Sequence, residues 1–134
     1  MKMRSMLTLE DCKKISAGSE AEARKNNWNV CIAILDDGGH LLHLVRMDGA
    51  TPANSRIAIE KGRTAAESRR STAMWEERIK SGRNAMLGMP GITPVQGGLP
   101  IVVDGVCIGG VGVSGVQSHE DEQIAKAGID VLKQ

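Results

Sequence analysis

GGVGVSG, Gly109 to Gly115, is the stretch on which the fold turns. Gly110 to Gly115 spells G-x-G-x-x-G, the spacing of a dinucleotide-binding turn. That turn needs a strand before it, a helix opening at the third glycine, and a further strand ending in an acidic residue about 20 residues on. Here only 19 residues follow Gly115, and they read as one helix. Glu120, Asp121 and Glu122 fill the first turn of that helix, where they would repel a phosphate. The glycines therefore lie along a strand and strip it of side chains. A bare strand marks close approach by something else. Two readings stay open: a helix or subunit packed on the strand, or a ligand lying on it at Gly112 and Ser114.

The strand belongs to a hairpin. Asp104-Gly105, a two-residue turn signal, separates Ile101–Val103 from Val106–Val113. A second hairpin precedes it, with Val30–Leu35 and Leu41–Met47 split by Asp37-Gly38-Gly39. Both strands of that hairpin are apolar on both faces, so helices are expected on one face and a second subunit on the other. Helices are expected elsewhere. One starts at Thr8, with Asp11 completing a capping box, and ends at Asn26-Asn27. Another runs from about Asn54, and a shorter one begins at Ser71-Thr72. The last opens at Ser118, with Asp121 as its capping partner. RNAMLGMPGITPVQGG, residues 83–98, is the one long irregular stretch and reads as a loop or mobile cover. Hairpins flanked by helices define an α+β chain with an antiparallel sheet, and its 134 residues fit one domain spanning 1–134.

Composition narrows the function. The formal net charge of +1 provides no field to draw in nucleic acid or an anionic membrane, and neither is an expected partner. Trp28 and Trp75 are the only aromatic residues, which argues against base stacking. No stretch approaches the roughly 20 apolar residues of a membrane span. Cys12, Cys31 and Cys107 form no C-x-x-C pair and sit among apolar neighbours, so they read as free thiols in a reducing compartment. With no apolar run after Lys2 and Arg4, the expected location is the cytoplasm.

Four blocks in order carry a resemblance: ILDDGGHLLHLVRMDGA, AIEKGRTAAESRR, GMPGITPVQGGLPIVVDGVCIGGVGVSG and HEDEQIAKAG. Together they resemble the GlcG/HbpS-like family, described as haem-binding or haem-degrading and including the C-terminal domain of PduO-type proteins. The resemblance runs from about Leu7 to Leu132. It implies a profilin-like fold with an antiparallel sheet of about five strands, a homo-oligomer, and a role in handling haem or corrinoids within a catabolic operon. In the family's haem binders the axial histidine lies near the N-terminus, whereas this chain has no histidine before His40. Haem is the cofactor that the resemblance suggests; the sequence itself names none.

Candidate site residues follow from residue chemistry. Arg46 ends a strand and offers a guanidinium fork for a carboxylate, with Asp48 beside it. Lys61 and Thr64 share one helix face and can converge with Arg46 on a carboxylate or propionate, or be used in internal pairs. His119, at a helix start, is a candidate proton carrier together with Asp48. Met89 in the loop can give a soft contact or a thioether ligand. His40 and His43 fall on opposite faces of a strand and cannot share a metal, and no metal site is expected. No P-loop, G-x-S-x-G or H-E-x-x-H pattern occurs. The sequence thus points first to a binding protein for haem, another tetrapyrrole or a small organic acid. Two alternatives stand: an isomerase- or tautomerase-type enzyme acting on a small carboxylate, and an oligomeric accessory protein of structural or chaperone-like function.

Overall fold

The computed structural model describes residues 1–133. Helix α1 (Leu9–Lys25) opens at Thr8. The Thr8 hydroxyl accepts from the Asp11 amide at 3.1 Å, and the Asp11 carboxylate accepts from the Thr8 amide at 2.9 Å. Strands β1 (Cys31–Asp36) and β2 (Leu41–Arg46) form the first hairpin. Helix α2 (Pro52–Ser68) starts with proline, whose missing N–H costs nothing in a first turn. Helix α3 (Thr72–Lys80) leads to a 3-10 turn over Asn84–Gly88. Strands β3 (Gly98–Val103) and β4 (Val106–Ser114) form the second hairpin. Asp104 and Gly105 both have positive φ at its tip, as a type I′ turn requires. Helix α4 (Ser118–Asp130) closes the fold.

The sheet is antiparallel throughout, in the order β2-β1-β4-β3. The α+β expectation holds, but among the described residues the sheet has four strands, not about five. The segment leading into β3 adds no further strand; its backbone bonds to side chains of the helices instead. Thr64 Oγ1 donates to the Gly91 carbonyl at 3.3 Å and accepts from the Thr93 amide at 2.9 Å. Thr72 Oγ1 accepts from the Gly98 amide at 2.8 Å.

Alternation along β1 and β4 divides the interior into two. Ile32, Ile34, Val111 and Val113 point to one face and pack with Ile15, Ile101 and Ile124 beneath α1 and α4. Each such buried side chain contributes about 1.5–3 kcal/mol relative to exposure. Cys31, Ala33 and Leu35 point to the other face and meet Ala58 of α2. Helices of the same chain therefore cover both faces of β1, where a second subunit was expected on one. Strand β2, at the sheet edge, is exposed at Leu42, Leu44 and Arg46 on the α2 side, whereas His43 and Val45 on the other side are half-buried, Val45 against the core.

The glycines of β4 explain how α2 sits so close. A Cβ on Gly112 would intrude on the Ala58 carbonyl oxygen and lie 2.9 Å from Gly62 Cα. A Cβ on Gly110 would lie 2.5 Å from the Gly62 carbonyl oxygen. Helix and strand thus meet backbone to backbone, and α2 fills the space above Gly112.

Candidate functional site

One end of the sheet gathers polar side chains. Cys31 is paired across β1 with Arg46 on one side and with Ser114 on the other, so the three form a row on the α2 side. The first turns of α2 lie over that row. Ser114 Oγ donates to Asn54 Oδ1 at 2.9 Å, and the Cys31 thiol lies 3.5 Å from Ser55 Oγ. Cys31 and Ser114 are buried, whereas Arg46 is exposed. The side chain of Thr51, the residue before Pro52, makes no cap hydrogen bond, and the first turn of α2 has no acidic residue. Pro52 has no N–H and the Asn54 amide donates to the Thr51 carbonyl at 3.0 Å, so what this helix start offers beside a guanidinium is the positive end of its dipole, which suits a carboxylate.

From this end a groove of about 720 Å³ runs along the outer side of α2. Pro52, Ser55, Arg56, Ile59, Glu60 and Arg63 contribute to its lining, with Ile57 beside them. The wall is part apolar and part guanidinium, suiting a ligand with an apolar body and an acidic group. Tested for haem, this wall offers cations for propionates but no histidine, methionine or cysteine to ligate the iron. An iron-ligated haem does not fit it.

The other candidates fall in three places. Asp48 lies two residues beyond Arg46 and His119 five beyond Ser114; both are exposed at the same end of the sheet. Thr64 is buried and holds the loop before β3, as described above. Met89 is exposed on that loop, close to the Gly91 that Thr64 anchors and away from the Arg46 end. Among the described residues no three His, Cys, Asp or Glu side chains cluster as for a metal, and no helix is long and apolar enough to cross a membrane.

Lys61 does not join Arg46. It is only 2% exposed, and its ammonium donates to the Val113 carbonyl and to Asp121 Oδ2, both at 3.0 Å. The other oxygen of Asp121 accepts from the Val116 amide at 3.1 Å. Burial holds the Asp121 carboxyl above the usual aspartate range, and the opposing pull of Lys61 only partly offsets it. Asp121 is thus an internal partner and not the capping residue of α4. That position falls to Glu120, whose carboxylate accepts from the Gln117 amide at 3.2 Å. Asn54 and Ser55 were missed in the sequence because nothing local distinguishes them from other first-turn residues. His43 is half-buried on the opposite side of β2, across from Ile34, and its Nδ1 has no hydrogen-bond partner among the described residues.

Comparison with known proteins places the chain. The family profile described as haem degrading protein HbpS-like matches residues 7–130. Protein GlcG of Escherichia coli strain K12 is 49% identical over 114 residues, 85% of each chain. The structure of a double mutant of HbpS from Streptomyces reticuli superposes with a TM-score of 0.90 at 31% identity, covering 98% of this chain and 90% of that one. A PduOC:haem complex superposes with a TM-score of 0.86 at 24% identity, covering 95% of each, a likeness of fold. The chain that builds this four-stranded sheet and its polar end is a member of the HbpS-like family.

Proposed function

We propose that this chain is a small-ligand-binding protein whose ligand is an organic anion with an apolar body, a tetrapyrrole carboxylate or a smaller organic acid. The observation that carries this reading is the row Arg46–Cys31–Ser114 beneath the open first turn of α2, leading into the groove. Arg46 and the positive end of the α2 dipole hold the carboxylate, and Pro52, Ile57 and Ile59 receive the body. The family's haem association and the haem complex formed by PduOC support a tetrapyrrole as the first ligand to try, within the profilin-like arrangement that the resemblance implies. It would be held through its carboxylates, because the wall has no iron ligand.

Titration of the purified protein with hemin tests this. Saturable one-to-one binding that falls at least tenfold in Arg46→Ala and survives His40→Ala, His43→Ala and His119→Ala supports it. Diffuse, non-stoichiometric uptake, or loss confined to a histidine variant, overturns it. A second reading rests on Asp48 and His119 standing at the same end as Arg46. It is proton transfer on a small carboxylate, with Arg46 as anchor. Turnover of a carboxylate substrate that is abolished in both His119→Ala and Arg46→Ala, with the fold intact, would favour it over simple binding.

A further inference from the structure

Three Asp-Gly pairs stand in the chain: Asp37-Gly38, Asp48-Gly49 and Asp104-Gly105. In such a pair the glycine amide nitrogen can attack the aspartyl side-chain carbon, because no Cβ blocks its approach. Folding decides which pair is free to do so. At Asp37-Gly38 both reacting groups are engaged: the Gly38 amide donates to Asp36 Oδ1 at 2.9 Å, and the Asp37 carboxylate pairs with Arg4. Asp48-Gly49 sits in a turn closed by the Ala50 amide, which donates to the Met47 carbonyl at 3.1 Å. The Asn29 side chain packs against Gly49 there, 2.9 Å from where a Cβ would stand.

Asp104-Gly105 differs from both. The two residues form the tip of the β3–β4 hairpin, and both are exposed. Nothing lies within 4 Å of the place a Gly105 Cβ would take. Strand pairing ends at Val103 and Val106, and among the described residues the Gly105 amide donates no hydrogen bond. The cations lining the clefts beside Asp104 are engaged elsewhere, Arg4 with Asp37 and Lys133 with Asp130. Neither the nucleophile nor the carboxyl is held.

We propose that Asp104 is a site of spontaneous modification, at which the folded chain converts aspartate to isoaspartate. The Gly105 nitrogen attacks Cγ of the protonated Asp104 carboxyl. An N–Cγ bond forms, the Cγ–OH bond breaks, and the hydroxyl leaves with the amide proton as water. Water then opens the resulting succinimide. Attack at Cγ returns aspartate. Attack at the former backbone carbonyl leaves the main chain running through Cγ, with a free α-carboxylate. No oxidant is consumed, and the mass of the chain is unchanged. The main chain gains one carbon inside a two-residue loop whose type I′ twist matches its strands. The Val103–Val106 end of the hairpin therefore loosens, while Val111 and Val113 stay in the core.

Trypsin, cutting after lysine and arginine, puts the three pairs in separate peptides, residues 26–46, 47–56 and 84–126. The full chain is aged at neutral pH, folded and, in parallel, unfolded in urea. Isoaspartate in each peptide is counted by enzymatic methylation of its free α-carboxylate and by a change in retention at constant mass. In urea all three peptides should acquire it. In the folded chain the peptide 84–126 should acquire it fastest, with the other two far behind. Asp104→Glu, whose longer side chain would have to close a larger ring, should remove the signal from 84–126. Asp104→Asn, which keeps the turn preference and loses ammonia more readily than a carboxyl loses water, should accelerate it. Circular dichroism checks that both variants are folded. Hydrogen exchange of the aged chain should quicken at Val103 and Val106 and not at Val111 or Val113. A folded chain that reacts first in 26–46 or 47–56, a signal in 84–126 that survives Asp104→Glu, or a folded chain that acquires none while the unfolded one does would overturn the assignment.

Discussion

On one face of the sheet Ile32, Ile34, Val111 and Val113 meet α1 and α4; on the other, Ala33, Gly110 and Gly112 meet α2. The first face is filled by branched side chains, whose rotamers can adjust by tenths of an ångström. The second is backbone against backbone, with no side chain to give way. A buried ion pair, Lys61–Asp121, also runs from α2 to α4, joining the two helix layers around the sheet end. The placing of Asn54 and Ser55 over the Arg46–Cys31–Ser114 row therefore depends on the closeness of α2, and less on how well the other face is packed.

The sharpest way to break the second face is to add atoms to it. Gly112→Val puts a branched side chain against the Ala58 carbonyl and Gly62, and neither can rotate away. We expect a loss of more than about 4 kcal/mol, beyond the usual range for overpacking, read as a collapse of the urea midpoint or a failure to fold. Gly105→Ala sharpens the contrast. Its φ is positive but nothing lies within 4 Å, so it pays only backbone strain, about 1 kcal/mol. If Gly112→Val unfolds no more readily than Gly105→Ala, the close contact with α2 is not what holds that face.

Next in size is the ion pair. Lys61→Met leaves a buried carboxylate facing an apolar side chain, and we expect a loss of about 3–4 kcal/mol at neutral pH. Adding Asp121→Leu removes the orphaned charge, so the double variant should lose less than the sum of the two single ones. A strictly additive cycle would mean that the two groups do not interact. The Ile/Val face should respond more gently and in proportion to volume: Ile32→Ala costs about 3 kcal/mol and Ile32→Val about 1 kcal/mol. A loss in Ile32→Val as large as that in Lys61→Met would erase the distinction between the faces.

How much of this was legible in the sequence divides along the same line. The α1 capping box, both hairpins and the Asp104-Gly105 turn are local signals, and the structure has them where the residues place them. GGVGVSG excluded a phosphate turn from its surroundings alone, yet left open what covers the strand. The answer lies in Ala58 and Gly62, some 50 residues away, and no local pattern names them. Lys61 looked like a ligand anchor because a helical lysine with a threonine one turn on presents a polar face. Its partner is 60 residues distant, so the sequence could not pair them. The same distance misled the reading of α4: S-x-x-D resembles a capping box, but the buried ammonium claims Asp121 and the cap falls one residue earlier. Arg46 and Ser114 were singled out separately, and only the strand register sets them in one row.

The smallest effect is the most specific test of that buried pair, and it is one of pH. Because burial raises the Asp121 carboxyl above its ordinary value, the folded chain binds a proton there at a higher pH than the unfolded chain does. In that window the native state holds more protons than the unfolded one, so this group adds stability as pH falls. Asp11, whose carboxylate accepts hydrogen bonds from Thr8, and Glu22, bonded by Gln123, are held below their ordinary ranges and act the opposite way. Their stabilisation is present above the unfolded values and is lost as pH falls through the folded ones. Stability against pH should therefore rise slightly on mild acidification before falling in strong acid. In Asp121→Asn the early rise should vanish while the acid limb remains. Lys61→Met should also lose part of its neutral-pH penalty in the same window, because the abandoned carboxyl can take up a proton. Urea midpoints for the three proteins between about pH 7 and pH 4 read this directly. Parallel curves for wild type and Asp121→Asn would mean that the ammonium of Lys61 offsets the burial of its partner in full.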